Sequence, residues 1–296
     1  MRIDSMEAIC ASAKEAGVEF WETVLLYDME EHEYTREDSI AKMLRAWKAM
    51  VEASDSYTGE RRSVSGLVGG DGLKMRIYNR RGESISGDYV GRVIAEALSM
   101  AESNACMRRI VAAPTAGACG VLPAVLMPLW HEKRLTQRQV IEALYTASGI
   151  GAVIARNAGI SGAAGGCQAE IGTAAAMAAG ALVQIYGGDM EQICNAVAMA
   201  LKNLMGLICD PVAGLVEVPC VKRNVAGAMT AVSAADMALA GIESRVPVDQ
   251  VIQAMGEVGR YMPLRFKETA LGGLAATPFG KAVKEEQKKT ERQSRG

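Results

Sequence analysis

Apolar residues recur three or four positions apart along most of the chain, which is the spacing of one face of an α-helix. The clearest example is "IAKMLRAWKAMV" (40–51), which follows the polar pair Thr35 and Asp38. Gly17 and Gly241 stand where two such patterns stop, and glycine is the usual residue just past a helix end. Further helix starts are indicated by a capping residue followed three positions later by Glu or Gln. These pairs are Asp4 with Glu7, Thr136 with Gln139, and Asp189 with Gln192.

Two parts of the chain lack the helical spacing. The stretch "TGERRSVSGLVGGDGLKMRIYNRRGESISGD" (58–88) is rich in glycine and predicts a long irregular connection after an N-terminal helical section of about residues 1–57. The tail 281–296 is charged and nearly free of apolar residues, so we expect it to be disordered. No alternation of apolar and polar residues is long enough to predict a sheet. The sequence therefore predicts an all-α fold, with one multi-helix domain over 1–280, small-residue buried helices, and glycine- and proline-rich connecting loops.

Composition and charge narrow the class of protein. Half of the 296 residues are hydrophobic and 22% are charged, which is typical of a soluble globular protein. The formal net charge of −2 argues against a nucleic-acid-binding protein. The most apolar stretch, 173–185, is too short and too rich in alanine to cross a bilayer, and the amphipathic start 1–17 does not resemble a signal peptide. We therefore expect a cytoplasmic protein that binds neither membrane nor nucleic acid.

The seven cysteines are an odd number without dense spacing, which favours reduced thiols over a disulfide framework. Cys10, Cys106 and Cys194 lie within or near the end of predicted helices, where we interpret them as packing residues. The other four stand beside glycine or proline at turns or helix edges. Backbone N–H groups are free at such positions and can stabilise a thiolate or tune a metal cluster. These four are Cys119, Cys167, Cys209 and Cys220.

Cys167, in "GGCQAEIG" (165–172), allows three interpretations: a buried thiol, a nucleophile or a metal ligand. A common way to activate a nucleophilic cysteine is a base beside it. The two histidines of the chain, His32 and His131, do not lie in a glycine-rich or polar motif, which argues against the nucleophile. Cys209 follows Cys167 by 42 positions and precedes Cys220 by eleven, a spacing that by itself is only a weak signal for a metal site.

Common cofactor motifs are missing. The segment "GLVGGDGLK" (66–74) fits neither a phosphate-binding loop nor a dinucleotide fingerprint, since glycines required by those patterns are replaced. The chain contains no C-x-x-C pair, which argues against a zinc ribbon or a ferredoxin-type cluster motif. The sequence therefore carries none of these cofactor motifs.

Three segments read together identify a family: "APTAGACGVLPAV" (113–125), "GISGAAGGCQAEIG" (159–172) and "CDPVAGLVEVPCVKRNVAGA" (209–228). They resemble the alpha chain of bacterial iron–sulfur-dependent L-serine dehydratases, and "RSVSGLVGGDGLKM" (62–75) is similar to a glycine-rich segment of the same family. The resemblance covers most of the chain. It implies an L-serine ammonia-lyase, which dehydrates and deaminates L-serine to pyruvate and ammonia.

The resemblance also implies a [4Fe–4S] cluster held by three cysteines, which correspond to Cys167, Cys209 and Cys220. Three cysteine ligands leave one iron with open coordination positions, so that iron can act as a Lewis acid toward the serine carboxylate and hydroxyl. Cys119 lies in the first of the three segments, and we expect it to be a packed thiol near the site rather than a ligand.

Position within the motifs indicates further site residues. Thr115 and Ser161 lie in turns ahead of helices, where a hydroxyl and backbone amides can hold a carboxylate. Lys222 and Arg223 directly follow a proposed ligand, where a cation can meet the substrate carboxylate or an anionic cluster. Asn224 completes this catalytic set. We expect the double glycine before Cys167 to let the backbone close around a cluster. Gln168 and Glu170 are expected either to form hydrogen bonds around the site or to cap the helix.

A general base is not evident in this chain. In the family, the beta portion carries a Ser-Ser-His-Thr motif, and neither His32 nor His131 matches it. The final residues "ERQSRG" contain no cysteine, so the C-terminal ligand of some single-chain relatives has no counterpart here. The resemblance therefore implies that this chain is an alpha chain. Its partners would be the substrate L-serine and a beta chain.

Two other functions remain open at this stage. One is a related iron–sulfur lyase acting on another small substrate such as cysteine, and the other is a non-enzymatic iron–sulfur redox scaffold. A pyridoxal-phosphate dehydratase is disfavoured, because no lysine has the setting of that cofactor's attachment site and no sheet is predicted.

Overall fold

The computed structural model, which describes residues 3–294, consists of α-helices joined by short loops and single turns. Within that range no residue belongs to a β-strand, and the nearest approach to one is a single parallel bridge between Cys209 and Lys267. The all-α prediction is therefore confirmed. The α-helices of the described residues are α1 (Met6–Ala16), α2 (Phe20–His32), α3 (Arg36–Asp55), α4 (Asp71–Arg80), α5 (Asp88–Ala105), α6 (Val121–His131), α7 (Gln137–Asn157), α8 (Gly162–Gly165), α9 (Thr173–Ile185), α10 (Met190–Leu204), α11 (Cys220–Leu239), α12 (Val248–Tyr261) and α13 (Pro278–Ser294).

Most predicted helix starts are confirmed by their caps. Thr136 and Asp189 both form complete capping boxes with the glutamine three positions later, so two otherwise free backbone donors are satisfied at each start. The Thr35 side chain likewise accepts a hydrogen bond from the backbone of Asp38. At the N-terminus the cap is Ser5, whose hydroxyl accepts from Ala8, so α1 begins one residue later than a cap at Asp4 would place it.

The stretch 58–88 differs from its prediction as one long irregular connection, because it contains helix α4. Gly70, with a φ of 81°, has the left-handed conformation that precedes this helix. Only two residues of α4, Gly72 and Asn79, are buried, so the helix lacks the apolar stripe by which the others were predicted. A side chain at Gly72 would collide with the Ser99 Oγ at 2.5 Å, so this glycine permits close packing of α4 on α5.

The N-terminal helical section shares one hydrophobic core with the rest of the chain. Helices α2 and α3 both pack against α7, and α3 also contacts α5 and α6. Phe20 and Trp47 are buried in the same cluster as Val125 and Ile150. The section therefore supports the core that carries the cysteine-containing loops.

The tail also differs from its prediction. Residues 281–294, which we expected to be disordered, continue helix α13 to Ser294, and 295–296 lie outside the described residues. The stretch is rich in Lys, Glu and Gln, which favour a helix without any apolar face. Lys288 also pairs with Glu285 one turn away at 2.7 Å. The low hydrophobicity of this segment therefore did not predict whether its backbone is helical or disordered.

Helix α9 lies at the centre of the molecule, and residues 173–183 are all buried. Seven of its thirteen residues are Ala or Gly, which lets α6, α7, α10 and α11 pack closely around it. At Gly180 an added Cβ would lie 2.2 Å from the Ile150 side chain. The prediction of buried small-residue helices is confirmed, and this central helix begins beside Cys167. Among the described residues, no helix combines the length and apolar character needed to cross a membrane.

Candidate metal centre

A buried group of three metal-ligating side chains lies just before helix α9. The sulfur atoms of Cys167 and Cys209 and a carboxylate oxygen of Glu170 all lie within 4.8 Å of one another. Cys167 precedes a single π-helical turn, Gln168–Gly172, and its three-residue separation from Glu170 puts both side chains on one face. Such widened turns occur frequently at functional sites. We call these three residues, Cys167, Glu170 and Cys209, the metal centre.

The third predicted ligand, Cys220, does not belong to this group of three. It is the first residue of α11 and is buried. Burial, followed by the neighbouring Cys167, raises the pKa of its thiol to about 12. Cys220 is therefore close enough to the metal centre for Cys167 to affect its pKa. It lies at the N-terminus of α11, where the first backbone N–H groups have no partner inside the helix.

The two thiols of the metal centre have opposite pKa shifts. The hydrogen bond with Cys209 lowers the pKa of Cys167, against burial, and the guanidinium of Arg223 lowers it further. Arg223 Nη1 lies 3.4 Å from Cys167 Sγ. The same contact with Cys167, together with burial, raises the pKa of Cys209. Cys167 is thus the thiol that most readily becomes a thiolate, which is the form that binds metals.

Arg223 is held in place by a buried ion pair. Its Nη2 donates to Asp210 Oδ1 at 2.8 Å, and its Nη1 donates to the carbonyl oxygen of Ile208 at 2.9 Å. The other carboxylate oxygen of Asp210 accepts from the backbone of Leu274 at 2.8 Å. The predicted cation is therefore present at the thiols. Asp210, which positions it, was not singled out from the sequence, although it directly follows Cys209.

Asn224 connects helix α11 to the "PTAGACG" loop. The buried side chain donates from Nδ2 to the carbonyl oxygens of Gly117, at 2.8 Å, and Cys220, at 3.0 Å. Its Oδ1 accepts from the backbone of Gly120 at 2.9 Å. All of these partners are backbone groups, so Asn224 joins the "PTAGACG" loop to the first turn of α11.

Gln168 likewise joins two parts of the site through hydrogen bonds to backbone groups. Its Nε2 donates to the Met255 carbonyl on α12 at 3.1 Å, and its Oε1 accepts from the Gly206 backbone at 2.8 Å. The Gln168 backbone N–H donates to Leu207 at 2.9 Å. Gln168 therefore joins the turn that follows Cys167 to the segment that leads to Cys209.

Two glycines leave space beside the Glu170 carboxylate. A Cβ at Gly162 would lie 2.7 Å from Glu170 Oε2 and 3.2 Å from Cys209 Sγ. A Cβ at Gly117 would lie 3.3 Å from Glu170 Oε1. Burial raises the pKa of the Glu170 carboxyl. Thr115 Oγ1 faces this carboxyl and lowers its pKa, yet it has no hydrogen-bond partner of good geometry among the described residues. Buried hydroxyls in proteins are usually hydrogen-bonded, so this one is a candidate contact for a bound ligand.

The double glycine before Cys167 has a different role from the one we expected. Gly166 has a φ of 78°, and a Cβ there would lie 2.7 Å from the Met262 sulfur and 2.9 Å from the Leu207 carbonyl oxygen. A Cβ at Gly259 would lie 3.0 Å from the Gly165 Cα. These glycines therefore permit close packing against α12 and its C-terminal end, whereas Gly162 and Gly117 provide the open space at the metal centre.

Three other residues that the sequence singled out differ in exposure and in partners. Ser161 is exposed at the start of α8, where its side chain makes no capping hydrogen bond. The Lys222 side chain is 69% exposed and pairs with Asp71 at 3.3 Å. Cys119 is fully buried, donates toward the Met100 carbonyl oxygen at 3.7 Å and has its pKa raised by burial to about 12. These contacts agree with its interpretation as a packed thiol.

Comparison with known proteins places this site in context. The model of the family described as serine dehydratase alpha chain matches residues 15–275. A probable L-serine dehydratase alpha chain of Bacillus subtilis is 47% identical over 270 residues, which are 91% of this chain and 90% of that protein. The L-serine dehydratase alpha chain of Peptoniphilus asaccharolyticus is 40% identical over 284 residues, 95% of this chain and 97% of that protein. The Escherichia coli L-serine dehydratase TdcG is 46% identical over 181 residues, which are 60% of this chain and 40% of that protein.

Proposed function

This chain belongs to the serine dehydratase alpha chain family, and we propose that it is the cluster-binding catalytic subunit of an L-serine ammonia-lyase. The observation that carries the proposal is the metal centre itself. Two buried thiols and a carboxylate lie within 4.8 Å of one another, in segments that also carry the family resemblance. The reaction removes water from L-serine, and the resulting enamine tautomerises and hydrolyses to pyruvate and ammonia.

The residues present fit an iron–sulfur cluster. Cysteine thiolates are the usual ligands of such clusters, and Cys167 and Cys209 are in place, with Cys220 proposed as the third. Arg223 places a buried positive charge beside the thiols, which suits a cluster with a net negative charge. Gly162 leaves space beside the sulfur of Cys209. When bound through three cysteines, a [4Fe–4S] cluster supplies an iron with an open position, which acts as a Lewis acid.

The chain's own residues are proposed to bind and orient the substrate. The free Thr115 hydroxyl and the amides of its loop suit the serine carboxylate. The Glu170 carboxylate can accept a hydrogen bond from the serine ammonium group. Asn224 and Gln168 hold the loops that carry these groups, and the burial of the thiols excludes water from the reacting atoms. This fixed geometry lowers the entropic cost of bringing the reacting groups together.

Removal of the serine α-proton requires a base that we assign to a partner. His32 pairs with Asp28 on α2, and His131 pairs with Asp55 at 3.2 Å, so both histidines are engaged away from the metal centre. The full-length relatives described above are named alpha chains. We therefore propose that a beta chain associates with this chain and supplies the base.

The test is anaerobic co-expression with a beta chain, followed by iron, sulfide and pyruvate assays. Replacing Cys167→Ser removes a proposed ligand, so both bound iron and pyruvate formation from L-serine should be lost. The matched control is Cys106→Ser, at the C-terminal end of α5, which should keep both. Full iron retention in Cys167→Ser would contradict the cluster assignment.

Two further outcomes separate the alternative functions. Pyruvate formation from L-cysteine but not from L-serine would indicate a related lyase with a different substrate. A bound cluster without turnover of either amino acid, in the presence of the beta chain, would indicate a redox scaffold.

A further inference from the structure

A second pair of thiols lies in contact on two other helices. Cys10 on α1 and Cys194 on α10 are 184 positions apart in sequence, yet their sulfur atoms are 3.8 Å apart. The sequence predicted both as packing residues, and the proposed reaction uses neither. We call Cys10 and Cys194 the dithiol.

The elements that carry the dithiol are firmly positioned. Ile9 and Ile193, the residues just before the two cysteines, are completely buried in the main core. The carboxylate of Asp249, from α12, accepts hydrogen bonds from the backbones of Met6 at 2.9 Å and Glu7 at 3.0 Å. It therefore docks the N-terminal turn of α1 onto α12. The sulfur contact is thus supported by three packed helices.

The dithiol lies at an opening to solvent. The two cysteines are half-buried and line an open cavity of about 960 Å³. Lys14, Asp189, Asn195 and Val248 also line this cavity. A pair of thiols that is rigidly held in contact and accessible to solvent has the arrangement that a sulfenic acid needs in order to be resolved by a second thiol.

The surroundings of the dithiol shift the pKa values of Cys10 and Cys194 in opposite directions. The hydrogen bond with Cys194 lowers the pKa of Cys10, against burial, and Lys14 lowers it further, while Asp249 and Glu7 oppose this effect. The same contact, burial and the carboxylates of Asp249 and Glu191 raise the pKa of Cys194. Cys10 is accordingly the nucleophilic thiolate, and Cys194 is the resolving thiol.

We propose that Cys10 and Cys194 are a modification site at which peroxide closes an intramolecular disulfide between α1 and α10. The Cys10 sulfur attacks one oxygen of hydrogen peroxide, so an S–O bond forms, the O–O bond breaks and hydroxide leaves. The Cys194 sulfur then attacks the Cys10 sulfur, so the S–S bond forms and the S–O bond breaks. The hydroxide of the first step takes up the proton that Cys10 lost and becomes one water, and the hydroxyl released from Cys10 takes up the proton of Cys194 and becomes a second water. The two thiols lose two electrons, and peroxide gains them.

Peptide mapping of the full chain, purified anaerobically with its beta chain, tests the proposal. The protein is treated with increasing hydrogen peroxide, its remaining thiols are blocked with N-ethylmaleimide, and it is digested with trypsin and Asp-N. These proteases place each thiol in its own peptide: Cys10 in 4–14, Cys106 in 93–108, Cys167 in 157–188 and Cys194 in 189–202.

We expect a 4–14/189–202 cross-linked peptide, lighter than its two reduced halves by two hydrogen atoms, that disappears on reduction with dithiothreitol. It should form at lower peroxide than any modification of Cys106. Two results would overturn the proposal. One is oxidation of Cys10 to sulfinic acid without the cross-link, and the other is blocking of Cys10 by N-ethylmaleimide at peroxide concentrations that already oxidise Cys106.

Two variants keep the result specific. In Cys194→Ser the resolving thiol is absent, so dimedone should trap Cys10 as its sulfenic acid, an adduct that the unaltered protein should hardly form. In Cys106→Ser the cross-link should be unchanged. Iron content separates this proposal from the proposed function, because Cys167→Ser should lose iron and still form the cross-link.

Discussion

In the metal centre and in the dithiol alike, one cysteine meets another, yet the surroundings of the two pairs differ. The contact lowers the pKa of Cys167 and of Cys10, and it raises the pKa of their partners. Cys167 and Cys209 lie on irregular backbone, at a π-helical turn and in a connecting segment. Cys10 and Cys194 lie within regular α-helices. Sulfur contact and thiol acidity by themselves therefore do not distinguish the proposed cluster site from the proposed redox pair.

The difference lies in what else reaches the sulfur atoms. At the metal centre a carboxylate, a buried guanidinium and a third cysteine adjoin the two thiols, and Gly162 leaves space among them. At the dithiol, the neighbouring residues Ile9 and Ile193 belong to the apolar core, and the free space is an open cavity. At the metal centre, irregular backbone brings several donors together, whereas at the dithiol two adjacent helices each bring one thiol.

The largest expected effect comes from breaking the ion pair that only the metal centre has. Asp210→Ala leaves Arg223 buried without its carboxylate, so the free energy of unfolding should fall by about 3–5 kcal/mol. Urea denaturation of the full chain, followed by circular dichroism, measures the loss. The control is Asp71→Ala, whose partner Lys222 is mostly exposed, and its change should stay within about 1 kcal/mol. Equal losses in the two variants would show that Arg223 does not depend on Asp210.

The next effect concerns the space at the thiols. Gly162→Ala places a methyl group 2.7 Å from Glu170 and 3.2 Å from the Cys209 sulfur, so bound iron should fall sharply. The accompanying loss of stability should be about 1–3 kcal/mol, as is usual for overpacking. Gly172→Ala is the control, because its Cβ would meet only ordinary contacts at 3.8–4.0 Å. Normal iron content in Gly162→Ala would mean that this space is not needed for the cluster.

The sequence predicted local features of the fold better than tertiary ones. The caps at Thr136 and Asp189 depend on residues three positions apart, so their pattern is complete in the sequence. Helix α4 was missed because its stability comes from packing against α5 rather than from an apolar stripe of its own. Similarly, the helix of the tail was missed because charged helix formers resemble a disordered segment when only hydrophobicity is considered.

The same limit applies to the candidate site. The motifs identified Cys167 and Cys209, and the structure brings them together with Arg223. Motif position alone did not reveal that Lys222, next to Arg223, would pair with Asp71 instead. Neighbouring residues on a helix point about 100° apart, so adjacency in sequence is a poor guide to a shared partner. The Asp210 carboxylate was overlooked because its partner Arg223 is thirteen positions away and meets it only through the fold.

A smaller effect is expected when the dithiol itself is disrupted. Cys194→Ala removes one partly buried sulfur contact, so the free energy of unfolding should fall by about 1 kcal/mol. Bound iron and pyruvate formation should remain at the level of the unaltered protein, because no proposed ligand has changed. Loss of iron in this variant would contradict the separation of the two thiol pairs.

The smallest effect is a shift in the pH dependence of thiol alkylation. The thiolate is the reactive form, so a thiol with a lowered pKa reacts faster at neutral pH. Cys10, beside Cys194 and Lys14, has a lowered pKa, whereas burial and Glu102 raise the pKa of Cys106. The rate of iodoacetamide labelling, followed peptide by peptide, should therefore reach half its maximum at a lower pH for Cys10 than for Cys106. Cys194→Ala removes the hydrogen bond that contributes most to the shift, so the midpoint for Cys10 should move upward toward that of Cys106. An unchanged midpoint in this variant would contradict the assignment of the lowered pKa of Cys10 to its contact with Cys194.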